Sequence, residues 1–105
     1  MKVSVIGAGS WGTALANLLV KNSHEVLVYD VDEKVINEIN TNHTNFSKLK
    51  DGVLEDGVVA TNDLSAILTF SDIIVLCVPT KAMRTVLKEI NLLTKSKKLF
   101  VNVSK

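Results

Sequence analysis

Gly7-Ala8-Gly9-Ser10-Trp11-Gly12 is the stretch whose residue types and spacing could hold a ligand. It follows the apolar run Val3-Ser4-Val5-Ile6 and opens a helical pattern. Gly7 lets the chain turn sharply out of a strand, Gly9 brings bare backbone up to a pyrophosphate, and Gly12 lets the helix lie close to the sheet. The first turn of that helix offers N–H groups and the positive end of a dipole to phosphate oxygens. Asp30, eighteen positions beyond Gly12, closes the next apolar run, Val26-Leu27-Val28-Tyr29. A carboxylate there accepts hydrogen bonds from the adenine-ribose hydroxyls and repels a 2′-phosphate, so the expected cofactor is NAD, preferred over NADP. The competing reading is a glycine-rich turn before an ordinary helix, with Asp30 capping a helix that begins near Asp32. That reading must explain strand, spacing and helix by separate accidents.

The elements that would position these residues alternate in period between sheet and helix. After the first strand, Ala14, Leu15, Leu18 and Leu19 recur at helical spacing, and Asn22-Ser23-His24 closes that helix before a strand from Glu25 to Asp30. A helix from about Asp32 to Asn40 turns Val35, Ile36 and Ile39 inward. Thr41 to Gly57 is polar and aperiodic and reads as a long loop beside the site. Val58-Val59-Ala60 is a short strand near the sheet edge, and Asn62-Asp63 caps a helix with Leu64, Ile67 and Leu68 inward. Ile73 to Val78 is apolar on both faces, as a central strand must be. Pro79 ends it, and Thr80 is the expected N-cap of a helix that buries Met83, Val86, Leu87 and Ile90. Leu99 to Val103 is the last strand.

Five strands with helical crossovers imply an α/β, doubly wound parallel sheet of Rossmann-like type in the order 3-2-1-4-5. Ligands of such sheets lie beyond the carboxyl ends of the strands, where the order reverses. That rule gathers the glycine turn, the Val78-Pro79-Thr80 bend and Ser104-Lys105 around one crevice, with Lys105 able to reach the nicotinamide end or an anionic substrate. By itself, a lysine at such a position is more often an exposed solubilising residue.

At 105 residues the chain is expected to be one domain, and 47% hydrophobic with 22% charged residues suits a globular protein rather than a disordered one. A net charge of +1 gives no electrostatic case for nucleic acid or an acidic membrane; Lys95-Ser96-Lys97-Lys98 and Lys48-Leu49-Lys50 are short enough to be solvated loops. No signal-peptide pattern or membrane-length apolar run is present, so the three Asn-X-Ser/Thr sequons are expected to go unused and a cytoplasmic location is expected. The single cysteine, Cys77, reads as a small buried hydrophobe, and His24 and His43 lack partners at metal-ligand spacing, so no metal is expected.

The decapeptide Gly7 to Ala16, with His24-Glu25-Val26, Thr61-Asn62-Asp63-Leu64, Val78-Pro79-Thr80 and Ser104-Lys105, closely resembles the N-terminal cofactor domain of bacterial NAD(P)-dependent glycerol-3-phosphate dehydrogenase. The resemblance spans the whole chain, residues 1–105. It implies reversible hydride transfer between a nicotinamide and dihydroxyacetone phosphate, giving sn-glycerol 3-phosphate for phospholipid synthesis. It also implies that the backbone of Ser10 and Trp11 faces the pyrophosphate, with Gly7, Gly9, Gly12, Asp30 and Pro79 completing the cofactor site. Lys105 matches a family lysine beside both nicotinamide and substrate, which makes it the expected catalytic and substrate-binding residue.

Three departures from the family pattern matter. Asp30-Val31 follows Tyr29 where NADP-accepting members carry Gly or Ala and then Arg or His, which strengthens the expectation of NAD. The aromatic-Leu-Pro-Gly segment of the family's long loop is replaced by Lys48-Leu49-Lys50-Asp51, with Phe46 two positions early. The family's helical substrate domain, with its catalytic base, has no counterpart in these residues, so this chain is expected to bind NAD without turning over substrate. Two other readings compete: a stand-alone NAD-sensing module, and a cofactor domain serving hydroxyacyl, sugar-nucleotide or ketopantoate substrates, against which the Ser10-Trp11-Gly12-Thr13 run argues by resemblance. The last strand, Leu99-Phe100-Val101, would be a bare edge that invites pairing with a second chain, a homodimer among the options.

Overall fold

The computed structural model describes residues 1–50, 52–94 and 96–103. Five strands alternate with four helices: β1 (Lys2–Ile6), α1 (Ser10–Lys21), β2 (Glu25–Tyr29), α2 (Glu33–Asn42), β3 (Val58–Thr61), α3 (Leu64–Phe70), β4 (Ile73–Leu76), α4 (Thr80–Leu93) and β5 (Leu99–Asn102). They form one parallel sheet in the order β3-β2-β1-β4-β5. The chain therefore winds outward from β1 in one direction, returns through α3, and winds outward in the other.

The side-chain period of two divides the core into two layers. Val3 and Val5 of β1, Val26 and Val28 of β2, and Val75 of β4 pack with Ala16 of α1 and with Val35, Ile36 and Ile39 of α2. On the opposite face Ile6, Ile74, Leu76 and Val78 pack with Leu64, Ile67 and Leu68 of α3 and Ile90 of α4. The continuous apolar run of β4 follows from this arrangement, since both of its faces are covered.

Two helices, α2 and α3, start at aspartate caps. The Asp32 carboxylate accepts from the Lys34 N–H at the start of α2, and Asp63 accepts from the Ser65 and Ala66 N–H groups at the start of α3. Ser23, with φ of 69°, turns the chain after α1.

Several expectations are corrected. On α1, Gly12, Thr13 and Ala16 are buried and Leu15 and Leu19 pack partly buried against the core as their spacing implies, whereas Leu18 is exposed. The N-cap of α4 is Pro79 rather than Thr80, and no side chain caps that end. On α4 only Ile90 is buried; Met83 and Val86 are half-buried and Leu87 is exposed, because α4 overhangs an edge whose β5 residues are all exposed. Cys77 is half-buried, just past the end of β4.

Candidate functional site

The connections that leave β1 and β4 run to helices on opposite faces of the sheet, at the point where its order reverses. A crevice of about 560 Å³ opens there, lined by Gly7, Gly9, Ser10 and Trp11 of the glycine turn, by Tyr29 at the end of β2 and Asp30 to Asp32 after it, and by Cys77, Val78 and Pro79 after β4. Its volume lies within the range that small-molecule and cofactor sites occupy. Gly12 lies beneath this turn, and the other predicted cofactor residues among those described, Gly7, Gly9, Ser10, Trp11, Asp30 and Pro79, all line the crevice. Ser104 and Lys105 lie outside the described residues.

The three glycines of the turn do different work. Gly7 has φ of +111°, and a Cβ on it would lie 2.7 Å from the Cys77 carbonyl oxygen. A Cβ on Gly12 would overlap the Gly7 carbonyl oxygen and stand 3.3 Å from the Cys77 Cβ. Both positions are therefore required by the fold. Around Gly9, in contrast, a Cβ would meet nothing within 4 Å. The open space at Gly9 is space that a ligand can use. Gly9 is also the N-cap of α1, whose start has no side-chain cap and no acidic residue in its first turn, so its positive end is left to the crevice.

The turn itself is held from both sides. One Asp30 carboxylate oxygen accepts from the Ala8 N–H at 3.0 Å, and the other accepts from the Asp32 N–H at 2.9 Å. Asp30 thus ties the end of β2 to the glycine turn, while the cap of α2 is Asp32. On the other side, the Ala8 carbonyl accepts from Thr13 Oγ1 at 3.2 Å and from Asn45 Nδ2 at 2.9 Å, and Asn45 also donates to Thr13 Oγ1. Thr13 and Asn45 are both about 1% exposed, so these bonds are shielded from water. The Gly7 N–H donates to the Tyr29 carbonyl and the Cys77 N–H to the Ile6 carbonyl, which extends the sheet ladder into the site.

The loop between α2 and β3 forms one wall of the crevice. Ser10 Oγ donates to the Lys48 carbonyl at 2.5 Å, and the Asn45 carbonyl accepts from the Lys48 and Leu49 N–H groups. Thr13, Asn45 and Lys48 were not found from the sequence as site residues. Asn45 and Lys48 stand in an aperiodic loop, and Thr13 reads as an ordinary helix residue. Only the packing of that loop on α1 reveals their part.

Burial pushes two groups in the crevice upward in pKa. The Cys77 thiol rises from 9.0 to about 11. The Tyr29 hydroxyl is raised first by burial and then by the Glu89 and Asp30 carboxylates. Both are neutral near pH 7 and present apolar or weakly polar surface to a ligand. Among the described residues, no cluster of three potential metal ligands is present and no helix is long and apolar enough to cross a membrane.

A doubly wound parallel sheet, a glycine turn with one open position and a carboxylate at the end of the second strand together define an NAD(P)-binding domain. Residues 2–105 match the family model described as NAD-dependent glycerol-3-phosphate dehydrogenase N-terminus, and the chain belongs to that family. It is 48% identical over 105 residues to glycerol-3-phosphate dehydrogenase [NAD(P)+] of Macrococcus caseolyticus, covering 100% of this chain and 32% of that protein. The Staphylococcus aureus (strain NCTC 8325) enzyme of the same name is 44% identical over 104 residues, 99% of this chain and 31% of that one. The crystal structure of glycerol-3-phosphate dehydrogenase from Coxiella burnetii superimposes with a TM-score of 0.91 at 27% identity, over 99% of this chain and 32% of that one. The chain thus spans about a third of the length of these relatives.

Proposed function

We propose that this chain is the cofactor-binding part of a cytoplasmic glycerol-3-phosphate dehydrogenase and that it binds NAD in preference to NADP. The single observation that carries the reading is the contrast among the glycines: two are packed against backbone, while Gly9 faces open space at the start of an uncapped helix. The pyrophosphate fits that opening, received by the first N–H groups of α1. Each Asp30 oxygen accepts one backbone N–H and retains acceptor capacity, so the carboxylate is fixed in place while still able to receive ribose hydroxyls. A 2′-phosphate would meet Asp30 and Asp32 together.

The bound nicotinamide supplies hydride chemistry; this part of the protein binds, orients and shelters. Trp11, Val78 and Pro79 line the crevice with largely apolar surface. By resemblance, Lys105 would stand at the nicotinamide and substrate end, where an ammonium neutralises substrate phosphate or holds the reacting oxygen. The substrate pair in this reading is dihydroxyacetone phosphate and sn-glycerol 3-phosphate, acted on with the family's helical substrate domain.

Calorimetric titration of the chain with NADH and with NADPH at matched ionic strength tests the reading. Saturable NADH binding at least about tenfold tighter than NADPH is expected from one added repulsion beside two carboxylates. Equal affinities would remove the NAD preference, and no binding of either by folded protein would remove the cofactor role.

A further inference from the structure

We infer that Lys48, on the loop between α2 and β3, is a cofactor-binding residue whose ammonium neutralises the dinucleotide pyrophosphate. The inference rests on the cofactor reading above and names a group within that site. Among the described residues lining the crevice, Lys48 is the one cation, and the anions Asp30 and Asp32 stand at the ribose end after β2. Among the described residues, no carboxylate is ion-paired with it.

Its location is set by the fold. Asn45 is buried against the glycine turn through Ala8 and Thr13, and its carbonyl closes the tight turn that carries Lys48. Ser10 Oγ then fastens the Lys48 carbonyl to the first residue of α1. The lysine backbone is thereby tied to the helix end that the pyrophosphate must approach. The helix dipole supplies about half a charge at that end, whereas a pyrophosphate carries about two, so a full positive charge on a flexible stem is the missing complement. Two phosphate groups could draw this ammonium, the pyrophosphate and the 2′-phosphate of NADP. The tie to Ser10 favours the former.

The test compares the unmodified chain with Lys48→Met and Lys48→Arg by titration with NADH, NADPH and ADP-ribose. Lys48 is exposed, so neither substitution should disturb folding, and thermal melts verify this. Lys48→Met is expected to weaken all three ligands by about fivefold at low ionic strength, with the deficit vanishing near molar salt and Lys48→Arg retaining most of the affinity. Unchanged NADH and ADP-ribose binding would overturn the inference while leaving the cofactor reading intact. A loss confined to NADPH would overturn it in favour of the 2′-phosphate, and a loss that persists in molar salt would make Lys48 a packing residue. Absence of NADH binding by the unmodified chain would overturn the cofactor reading, and this inference with it.

Discussion

At the scale of residues, the glycine turn separates what the fold needs from what a ligand needs. Gly9→Val is expected to abolish NADH binding while shifting the melting temperature by no more than about 2 °C, because the added side chain enters open space. Gly12→Ala is expected to destabilise the chain by about 3 kcal/mol or more, since its Cβ would overlap the Gly7 carbonyl and force α1 off the sheet. A pair of thermal melts with NADH titrations checks both, and reversed outcomes would refute the division of roles. Asp30→Ala should weaken NADH, narrow its margin over NADPH and also loosen the turn, because the carboxylate holds the Ala8 and Asp32 N–H groups as well. Cys77 gives a probe of occupancy. With its thiol raised to about 11, alkylation near pH 8 should run about a hundredfold slower than for a thiol at 9.0, and rise as the pH approaches 11. Added NADH should slow it further, since Cys77 lines the crevice; mass spectrometry of the labelled protein reads both effects.

At the scale of elements, most helix boundaries were legible because they rest on local chemistry. Asp63 caps α3 and the apolar spacing of α2 turns Val35, Ile36 and Ile39 inward, as their positions in the sequence imply. The far end of α3 was not legible. There Lys98, 69 positions past Tyr29 and with a side chain only 6% exposed, donates to the carbonyls of Leu68 and Ser71 and to the Asp72 carboxylate. In the sequence it belongs to a short basic run that reads as solvated. Lys98→Met should cost about 1–3 kcal/mol in urea denaturation, because it strands buried carbonyls at the helix end. A change within about 0.5 kcal/mol would show that water replaces the ammonium there.

At the scale of the whole molecule, the sheet buries its centre and exposes one edge. β3 at one side is half covered by α2, whereas all four residues of β5 are exposed, with Leu99 at 60%. An apolar edge strand of this kind is prone to pair with other chains. Leu99→Lys should reduce concentration-dependent association in sedimentation velocity without altering NADH affinity, and unchanged association would assign it to another surface. The strand order, the crevice at its reversal and the glycine turn could all be read from the sequence. Period, turn residues and right-handed crossovers act locally and leave few alternatives. The division of roles among Gly7, Gly9 and Gly12 was legible too; the tertiary structure decided which atoms enforce it, the carbonyls of Cys77 and Gly7. It also brought Asn45 and Lys48 across from a loop without periodicity, and left the apolar stripe of α4 half uncovered. Those features depend on which surfaces meet at distances far along the chain, and such meetings leave no mark in local residue order.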